Sequence, residues 1–145
     1  MELLNMVCTD LNTYNMNQFP NNFQKVVNFL KNQSISVELS NSTCYIGNSD
    51  NAKIYIHRRY NLNKNGLYAL LHEAGHFLQP HGKYSANHYK NVDDCEQPTK
   101  FNMYQFMNEV DAWDRGLNLA NELGIFINKE EWGKEREIAL LTYYV

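Results

Sequence analysis

The sequence lacks a long apolar run, an excess of positive charge and a paired set of cysteines. No stretch approaches the roughly 20 apolar residues that a membrane span requires, so we expect no membrane association. Lys and Arg number 13 and Asp and Glu 16, for a net charge of −3, and nucleic acid is not an expected partner. The three cysteines, Cys8, Cys44 and Cys95, are odd in number and predict no disulfide framework. This cysteine use favours a reducing, cytoplasmic location.

Apolar residues are abundant enough for a folded core. The chain has 145 residues, of which 43% are hydrophobic and 13% aromatic. We therefore expect one domain spanning residues 1–145, because this length suits a single core. The first residues lack a basic start and a long apolar segment, so the sequence predicts no signal peptide. We find no repeat and no linker.

The spacing of apolar residues predicts an α+β fold. We expect helices over residues 20–32, 64–79, 102–123 and from about 129 to 143, and strands over residues 34–39, 43–46 and 52–57. Three short strands so close in sequence predict a small antiparallel sheet. Gly124 is a candidate helix C-cap, and Asn128 with Glu131 resembles a capping box. Residues 47–51 predict a turn, and residues 80–101 are polar and irregular.

Besides the amphipathic helix over residues 20–32, two of the predicted helices have an apolar face. In the helix over 64–79 that face comprises Leu67, Leu70, Leu71, Ala74 and Leu78. In the helix over 102–123 it comprises Met103, Phe106, Met107, Val110 and Leu117. We expect both faces to pack in the core, together with Trp132. Arg58 and Arg59 are interpreted as a solvated strand end, and Cys44 as a buried thiol.

The motif with chemical content is His72-Glu73-Ala74-Gly75-His76, an H-E-x-x-H sequence inside a predicted helix. Residues four apart lie about 40° apart on a helix, so both imidazoles can bind one metal ion. Glu73 lies roughly 60° round from His76, where a general base for a metal-bound water belongs. The apolar stripe lies on the opposite side of this helix. Gly75 costs roughly 1 kcal/mol inside a helix, which suggests that another element approaches closely.

A catalytic zinc site needs a third protein ligand. The candidates in the sequence are Glu109, Asp111, His81, His88, Asp93 and Asp94. We favour Glu109, because the small residues Ala112, Gly116 and Ala120 on its side of the helix would let that helix approach the histidine helix. Asp111 points about 160° away from Glu109, so a straight helix cannot direct both carboxylates to one metal.

The stretch from Glu109 to Trp113, following His72 to His76, resembles a gluzincin: an H-E-x-x-H zinc metallopeptidase with a downstream glutamate ligand. The small size resembles minimal gluzincins and the ImmA/IrrE-like metallopeptidases of bacteria and phages. The resemblance covers roughly residues 52–125. It implies a zincin-like domain, Zn²⁺ held by His72, His76 and Glu109, and a location in the cytoplasm, that of the host if phage-encoded. It also implies that residues 52–57 form an edge strand that binds an extended peptide.

One position departs from that pattern. Some gluzincins have an aspartate four residues after the glutamate ligand, and this chain has Trp113 there. Indole donates a hydrogen bond but cannot accept one. The acceptor that orients His72 or His76 must then be another group, such as Asp93, Asp94 or a backbone carbonyl.

Two functional hypotheses follow. The first is a zinc-dependent metallopeptidase acting on a peptide or protein, in which Glu73 takes a proton from the attacking water and returns it to the leaving amine. A helper for the oxyanion would come from Tyr84, His88, Tyr89 or Tyr104. The alternative is a non-catalytic, regulatory metalloprotein that uses the same fold to sense or bind a partner. Glu73 favours the enzyme, because a purely structural metal site has no need of a base.

Overall fold

A computed structural model describes residues 18–46, 52–60, 64–80 and 103–142 of the chain. Within these ranges the protein is α+β, as predicted, with four helices and one sheet of three short strands. The helices are α1 (Gln18–Asn32), α2 (Lys64–Phe77), α3 (Met103–Glu122) and α4 (Lys129–Leu141). The strands are β1 (Ser36–Ser40), β2 (Cys44–Ile46) and β3 (Lys53–His57), and a one-turn 3₁₀ helix, Arg58–Tyr60, follows β3. The predicted turn at 47–51 and nearly all of the irregular segment 80–101 lie outside the described residues.

The sheet is mixed, so the prediction of an antiparallel sheet was wrong. β3 is the central strand, antiparallel to β2 and parallel to β1. The register sets Val37 beside Ile54 and Leu39 beside Ile56, which puts these apolar residues on one buried face. Alternation of apolar residues fixes which face is buried but not the direction of the neighbouring strand. Residues 41–52, which include β2, make the long connection that parallel pairing requires.

The core lies between this sheet and the helices. α1 contributes Phe23, Val26 and Leu30, each 0% exposed. α2 buries the stripe that its spacing predicts, with Leu67, Leu70, Leu71 and Ala74 at 1% exposure or less. Leu78, just beyond the end of α2, is only partly buried and packs against this core. Trp132 of α4 is also buried, as predicted.

α3 buries a different face from the one its large apolar residues predict. Met107 is 45% exposed, and Phe106, Val110 and Leu117 are only partly buried. The buried face includes the small residues Ala112 and Ala120 at 0%, together with larger residues such as Asn108 at 0% and Leu119 at 1%. Side-chain size was a poor guide here, because burial depends on how closely the partner backbone approaches.

That partner is α2, and the two helices touch backbone to backbone. A Cβ added to Gly75 would lie 1.9 Å from the carbonyl oxygen of Ala112. A Cβ added to Gly116 would lie 2.5 Å from the carbonyl oxygen of Leu71. Real Cβ atoms do not approach other atoms so closely, so only glycine fits at either position. The close approach that Gly75 suggested in the sequence is therefore present, and it sets α2 and α3 in a fixed register.

Two turn signals at the end of α3 are confirmed. Gly124 has a φ of 70° and follows the helix as its cap, with Ile125 N donating to the carbonyl of Ala120 at 2.8 Å. Asn128 caps α4, because its side-chain oxygen accepts from the amide of Glu131 at 3.1 Å. The Glu131 carboxylate does not complete a reciprocal capping box. It accepts two hydrogen bonds from Lys64 Nζ on α2, each 2.8 Å.

No helix in the described ranges is both long enough and apolar enough to cross a bilayer.

Candidate metal centre and its cleft

Three side chains from α2 and α3 converge on one point. Glu109 Oε1 lies 2.9 Å from His72 Nε2, and Glu109 Oε2 lies 3.0 Å from His76 Nε2. One ligand atom from each residue lies within 4.8 Å of the other two. His76 and Glu109 are each 8% exposed, and His72 is partly buried. The structure thus brings together the three residues that the sequence suggested as ligands.

This donor set fits a zinc ion. Zinc accepts imidazole nitrogen and carboxylate oxygen at about 2.0–2.2 Å, which in a tetrahedron separates ligand atoms by roughly 3.3–3.6 Å. The two close contacts at 2.9 and 3.0 Å need only a small expansion to reach that spacing. Two imidazoles and one carboxylate leave a fourth position for water or substrate, which is the pattern of catalytic zinc sites.

The charges of the three residues depend on one another. Burial alone would lower the pKa of His76, but the adjacent Glu109 carboxylate outweighs it and raises that pKa to about 9. Burial would raise the pKa of Glu109, but the two imidazoles outweigh it and hold that pKa well below its usual range. The Glu109 carboxylate thus favours a positive charge beside it, which a divalent cation would supply in place of an imidazole proton.

Glu73 lies beside this cluster and is not part of it. Its Oε2 lies 3.4 Å from His72 Nδ1, on the side of the ring away from Glu109. The side chain is buried, and burial raises its pKa, while the two histidines and a hydrogen bond with the backbone of Tyr45 in β2 lower it in part. Glu73 therefore lies next to the metal-binding atoms, but its carboxyl group contacts the other nitrogen of the His72 ring.

Gln79 orients His76, a role that sequence reasoning missed. Its Oε1 lies 3.1 Å from His76 Nδ1, and its Nε2 donates to the carbonyl of Asn108 at 2.8 Å and to Asp111 Oδ2 at 3.1 Å. This side chain links the end of α2 to α3 and leaves His76 Nε2 facing Glu109. Gln79 stands three residues after His76, one helical turn away, and that spacing was the available signal.

Trp113 supports the other histidine from one face. Its indole stacks on the His72 ring with centroids 4.5 Å apart and 13° between the planes. Trp113 in turn packs edge-on against Trp132, with centroids 4.8 Å apart. The residue that stands where some gluzincins have an aspartate thus restrains His72 by stacking and not by accepting a hydrogen bond.

The other predicted site residues are placed elsewhere. Asp111 Oδ2 accepts from Arg115 Nε at 2.8 Å as well as from Gln79, and it is not one of the three clustered residues. His81, His88, Asp93 and Asp94 lie outside the described residues. The same is true of the side chains of Tyr84, Tyr89 and Tyr104.

The expected edge strand was also misplaced. Residues 52–57 correspond to β3, which pairs on both sides and cannot add a substrate strand. Of the three described strands, β2 is an outer one, and it is the strand whose Tyr45 backbone bonds Glu73. Any peptide that pairs with this sheet near the cluster would therefore pair with β2.

A cleft of about 730 Å³ opens over the cluster. Its floor holds His72, Glu73 and Glu109, beside Trp113. One part of its wall comes from Thr43, next to β2, and from the 3₁₀ turn after β3, with Arg59. Other parts of the wall come from Asn65, Tyr68 and Ala69 of α2, and from Glu135, Ile138 and Ala139 of α4 with Thr142 just after it. The protein therefore covers the cluster except where the cleft opens over it, and a ligand can reach the cluster through the cleft.

Cys44 does not have the form that its sequence context predicted. It is disulfide-bonded and 2% exposed, whereas Cys8 and Cys95 lie outside the described residues. The prediction of a free buried thiol was wrong. An odd number of cysteines still allows one disulfide, with one cysteine left over. The number of cysteines is therefore no evidence for a reducing compartment.

Comparison with known proteins adds no identification. No family model, curated protein or solved structure matches the chain.

Proposed function

We propose that the protein is a zinc-dependent metallopeptidase with a zincin-like arrangement of α2, α3 and the sheet. The observation that supports it most strongly is the position of Glu73. A buried carboxylate lies beside a cluster of two histidines and one glutamate, at the floor of a cleft that a substrate can enter. A purely structural metal site would have neither an extra carboxylate nor an open cleft.

Each residue has a distinct role in this proposal. His72, His76 and Glu109 would hold the zinc, which when bound supplies a Lewis acid that acidifies water and polarises a carbonyl. Glu73 takes a proton from the attacking water and gives it to the leaving amine. Gln79 holds the ring of His76, and Trp113 the ring of His72, in the orientation that binding needs.

The metal-binding part of the proposal has a direct test. Elemental analysis of the purified protein should give one zinc per chain. The double variant His72→Ala, His76→Ala should give none, because it removes both nitrogen ligands. Full metal content in the double variant would mean that the metal is bound at another place.

The catalytic part is tested with Glu73→Gln, which keeps the shape of the side chain but cannot accept the proton. Zinc content and melting temperature should stay near those of the unmodified protein, because Glu73 is not a ligand. Hydrolysis of a peptide library, read by mass spectrometry, should fall by about 10²–10⁴-fold, as for the loss of a general base.

Glu137→Gln is the matched control, because Glu137 is an exposed carboxylate of α4 that does not line the cleft. It should hydrolyse the library as the unmodified protein does. Equal turnover in Glu73→Gln would place the base elsewhere. A complete absence of turnover with zinc confirmed bound would favour the alternative, a regulatory metalloprotein.

A further inference from the structure

The cleft contains a cation whose charge no carboxylate of the described residues neutralises. Arg58, in the same turn, does not line the cleft, and Lys64 of α2 is paired with Glu131 at 2.8 Å. Arg115 and Arg136 are also paired, with Asp111 and Asp114. Arg59 lines the cleft and makes no ion pair within the described ranges. An arginine that is left unpaired at the wall of a site is available to an anionic ligand.

Arg59 is also held in place. Its guanidinium lies over the ring of Tyr60, 5.0 Å from the centroid, and its Nη2 donates to the Tyr60 hydroxyl at 3.2 Å. Its backbone amide donates to His57 Nδ1 at 3.0 Å. The His57 amide in turn donates to Thr43 Oγ1 at 3.0 Å, which fixes the turn to the segment before β2. These bonds lower the entropy cost of holding the side chain for a ligand.

His57 provides a second donor in the same wall. Because its Nδ1 accepts a backbone N–H, a neutral ring must have its proton on Nε2. His57 lines the cleft together with Arg59. The wall thus offers a guanidinium and an imidazole N–H, both donors, from residues two apart in the chain. A carboxylate has the two acceptor oxygens that such a pair of donors would bind.

The cleft extends from the cluster along α2, which leaves room for such a group. Asn65, Tyr68, Ala69 and His72 line it from one face of α2. From residue 65 to residue 72 the helix rises about 10 Å, which is the length of about three residues of extended peptide. A substrate that lies along α2 with its scissile bond at the cluster would therefore extend over about three residues inside the cleft that Arg59 and His57 also line.

We propose that Arg59 and His57 form a subsite for a carboxylate of the substrate, so that the protein acts on peptides with an acidic group within a few residues of the scissile bond. This inference rests on the proposed function for the cleft. The carboxylate can belong to an Asp or Glu side chain or to the C-terminus of the peptide. Both sources offer the same chemistry to Arg59, and the experiment separates them.

The test measures binding without turnover. Zinc-loaded Glu73→Gln protein is titrated into fluorescein-labelled octapeptide mixtures with Glu, Gln or Lys fixed at one position, each made with a C-terminal acid and with an amide. Fluorescence anisotropy should show about fivefold or greater preference for the carboxylate member of a pair. A preference for fixed Glu over Gln identifies a side-chain carboxylate, and a preference for acid over amide identifies the C-terminus.

Adding Arg59→Gln should remove the preference, and adding Arg59→Glu should favour the Lys mixtures. Arg58→Gln is the matched control, because Arg58 is exposed in the same turn but does not line the cleft. It should keep the full preference. Equal preference in the Arg59 and Arg58 variants, or no preference before either change, overturns the inference. Failure of the proposed function would appear separately, as a lack of hydrolysis by the protein with Glu73 intact.

Discussion

α2 packs against α3 and against α4 in two different ways. Its contact with α3 is made by backbone against backbone, at Gly75 and Gly116. Its contact with α4 is made by side chains: the ring of Tyr68 packs edge-on against Trp132 at 5.2 Å, and Lys64 pairs with Glu131. The first contact leaves no space for adjustment. The second contains long, partly exposed side chains that can change rotamer.

This difference corresponds to a division of tasks. The three candidate ligands come only from α2 and α3, so the rigid contact sets the distances that a metal ion requires. α4 contributes part of the cleft wall and none of the three ligands. A metal site tolerates errors of only a few tenths of an ångström, whereas a cleft wall can adapt to what it binds. The variants below test each contact, beginning with the largest expected effect.

Gly75→Ala should disrupt the contact between α2 and α3. Its methyl group would overlap the backbone of Ala112, and backbone atoms cannot move aside as a flexible side chain can. We expect the free energy of unfolding to fall by about 3 kcal/mol or more, beyond ordinary overpacking, and zinc binding to weaken with it. Urea denaturation and zinc titration measure the two effects.

Gly133→Ala is the control, at an exposed glycine of α4. Nothing lies within 4 Å of a Cβ added at Gly133, which is exposed in α4. Alanine should therefore stabilise the protein by up to about 1 kcal/mol through helix propensity. If both substitutions changed stability alike, the loss in Gly75→Ala would not come from overlap with the Ala112 backbone.

Glu109→Ala should reduce zinc affinity far more than Asp111→Ala. The Glu109 carboxylate lies within 3.0 Å of both histidine rings, whereas Asp111 interacts with Arg115 and Gln79. Removing Glu109 takes away a ligand; removing Asp111 only loosens the support of Gln79. Competition with a fluorescent chelator measures both affinities. A larger loss in Asp111→Ala would show that the assignment of the third ligand is wrong.

Gln79→Leu should have an intermediate effect. The change leaves the carbonyl of Asn108 and Nδ1 of His76 without their hydrogen bonds. Loss of a group that orients a metal ligand typically costs 10–100-fold in affinity, and we expect zinc binding to fall within about that range. Gln33→Leu, at an exposed position after α1, is the control and should bind zinc normally. Unchanged affinity in Gln79→Leu would mean that Gln79 only stabilises the fold.

The sequence was sufficient to predict the elements and the converging residues, because both follow from helical spacing. A helical wheel identifies the faces on which His72, His76 and Glu109 lie. Gly75 indicated that another helix approaches α2 closely. The strand order was not predictable, because the alternation in β1 and β3 is the same for parallel and antiparallel pairing. Arg59 is exposed, as predicted, but its place in the cleft wall was not predictable, because it depends on how the 3₁₀ turn folds beside α2.

Burial on α3 shows a second limit of sequence reasoning. The hydrophobic pattern indicated the face with Met107, whereas the packed face contains Ala112 and Ala120. Small residues contribute little to a hydrophobic pattern, yet they permit the backbones of α2 and α3 to touch. Gln79 was overlooked for a related reason. It orients His76 through hydrogen bonds to three partners, and only the packing of α2 against α3 brings these partners together.

Glu131→Gln should have the smallest effect, because it changes only the contact between α2 and α4. The Lys64 ammonium group holds the pKa of Glu131 below its usual range, so the pair stabilises the protein at neutral pH and loses that contribution as the pH falls through the lowered pKa. Exposed pairs contribute little and are screened by salt.

Glu130→Gln is the control, since both acids lie in the first turn of α4 and share its helix dipole. The urea midpoint of Glu131→Gln should fall slightly below that of Glu130→Gln at low salt and match it in 1 M NaCl, with zinc affinity unchanged in both. A loss of zinc affinity in Glu131→Gln would show that the flexible contact also helps to set the metal site, contrary to the division proposed here.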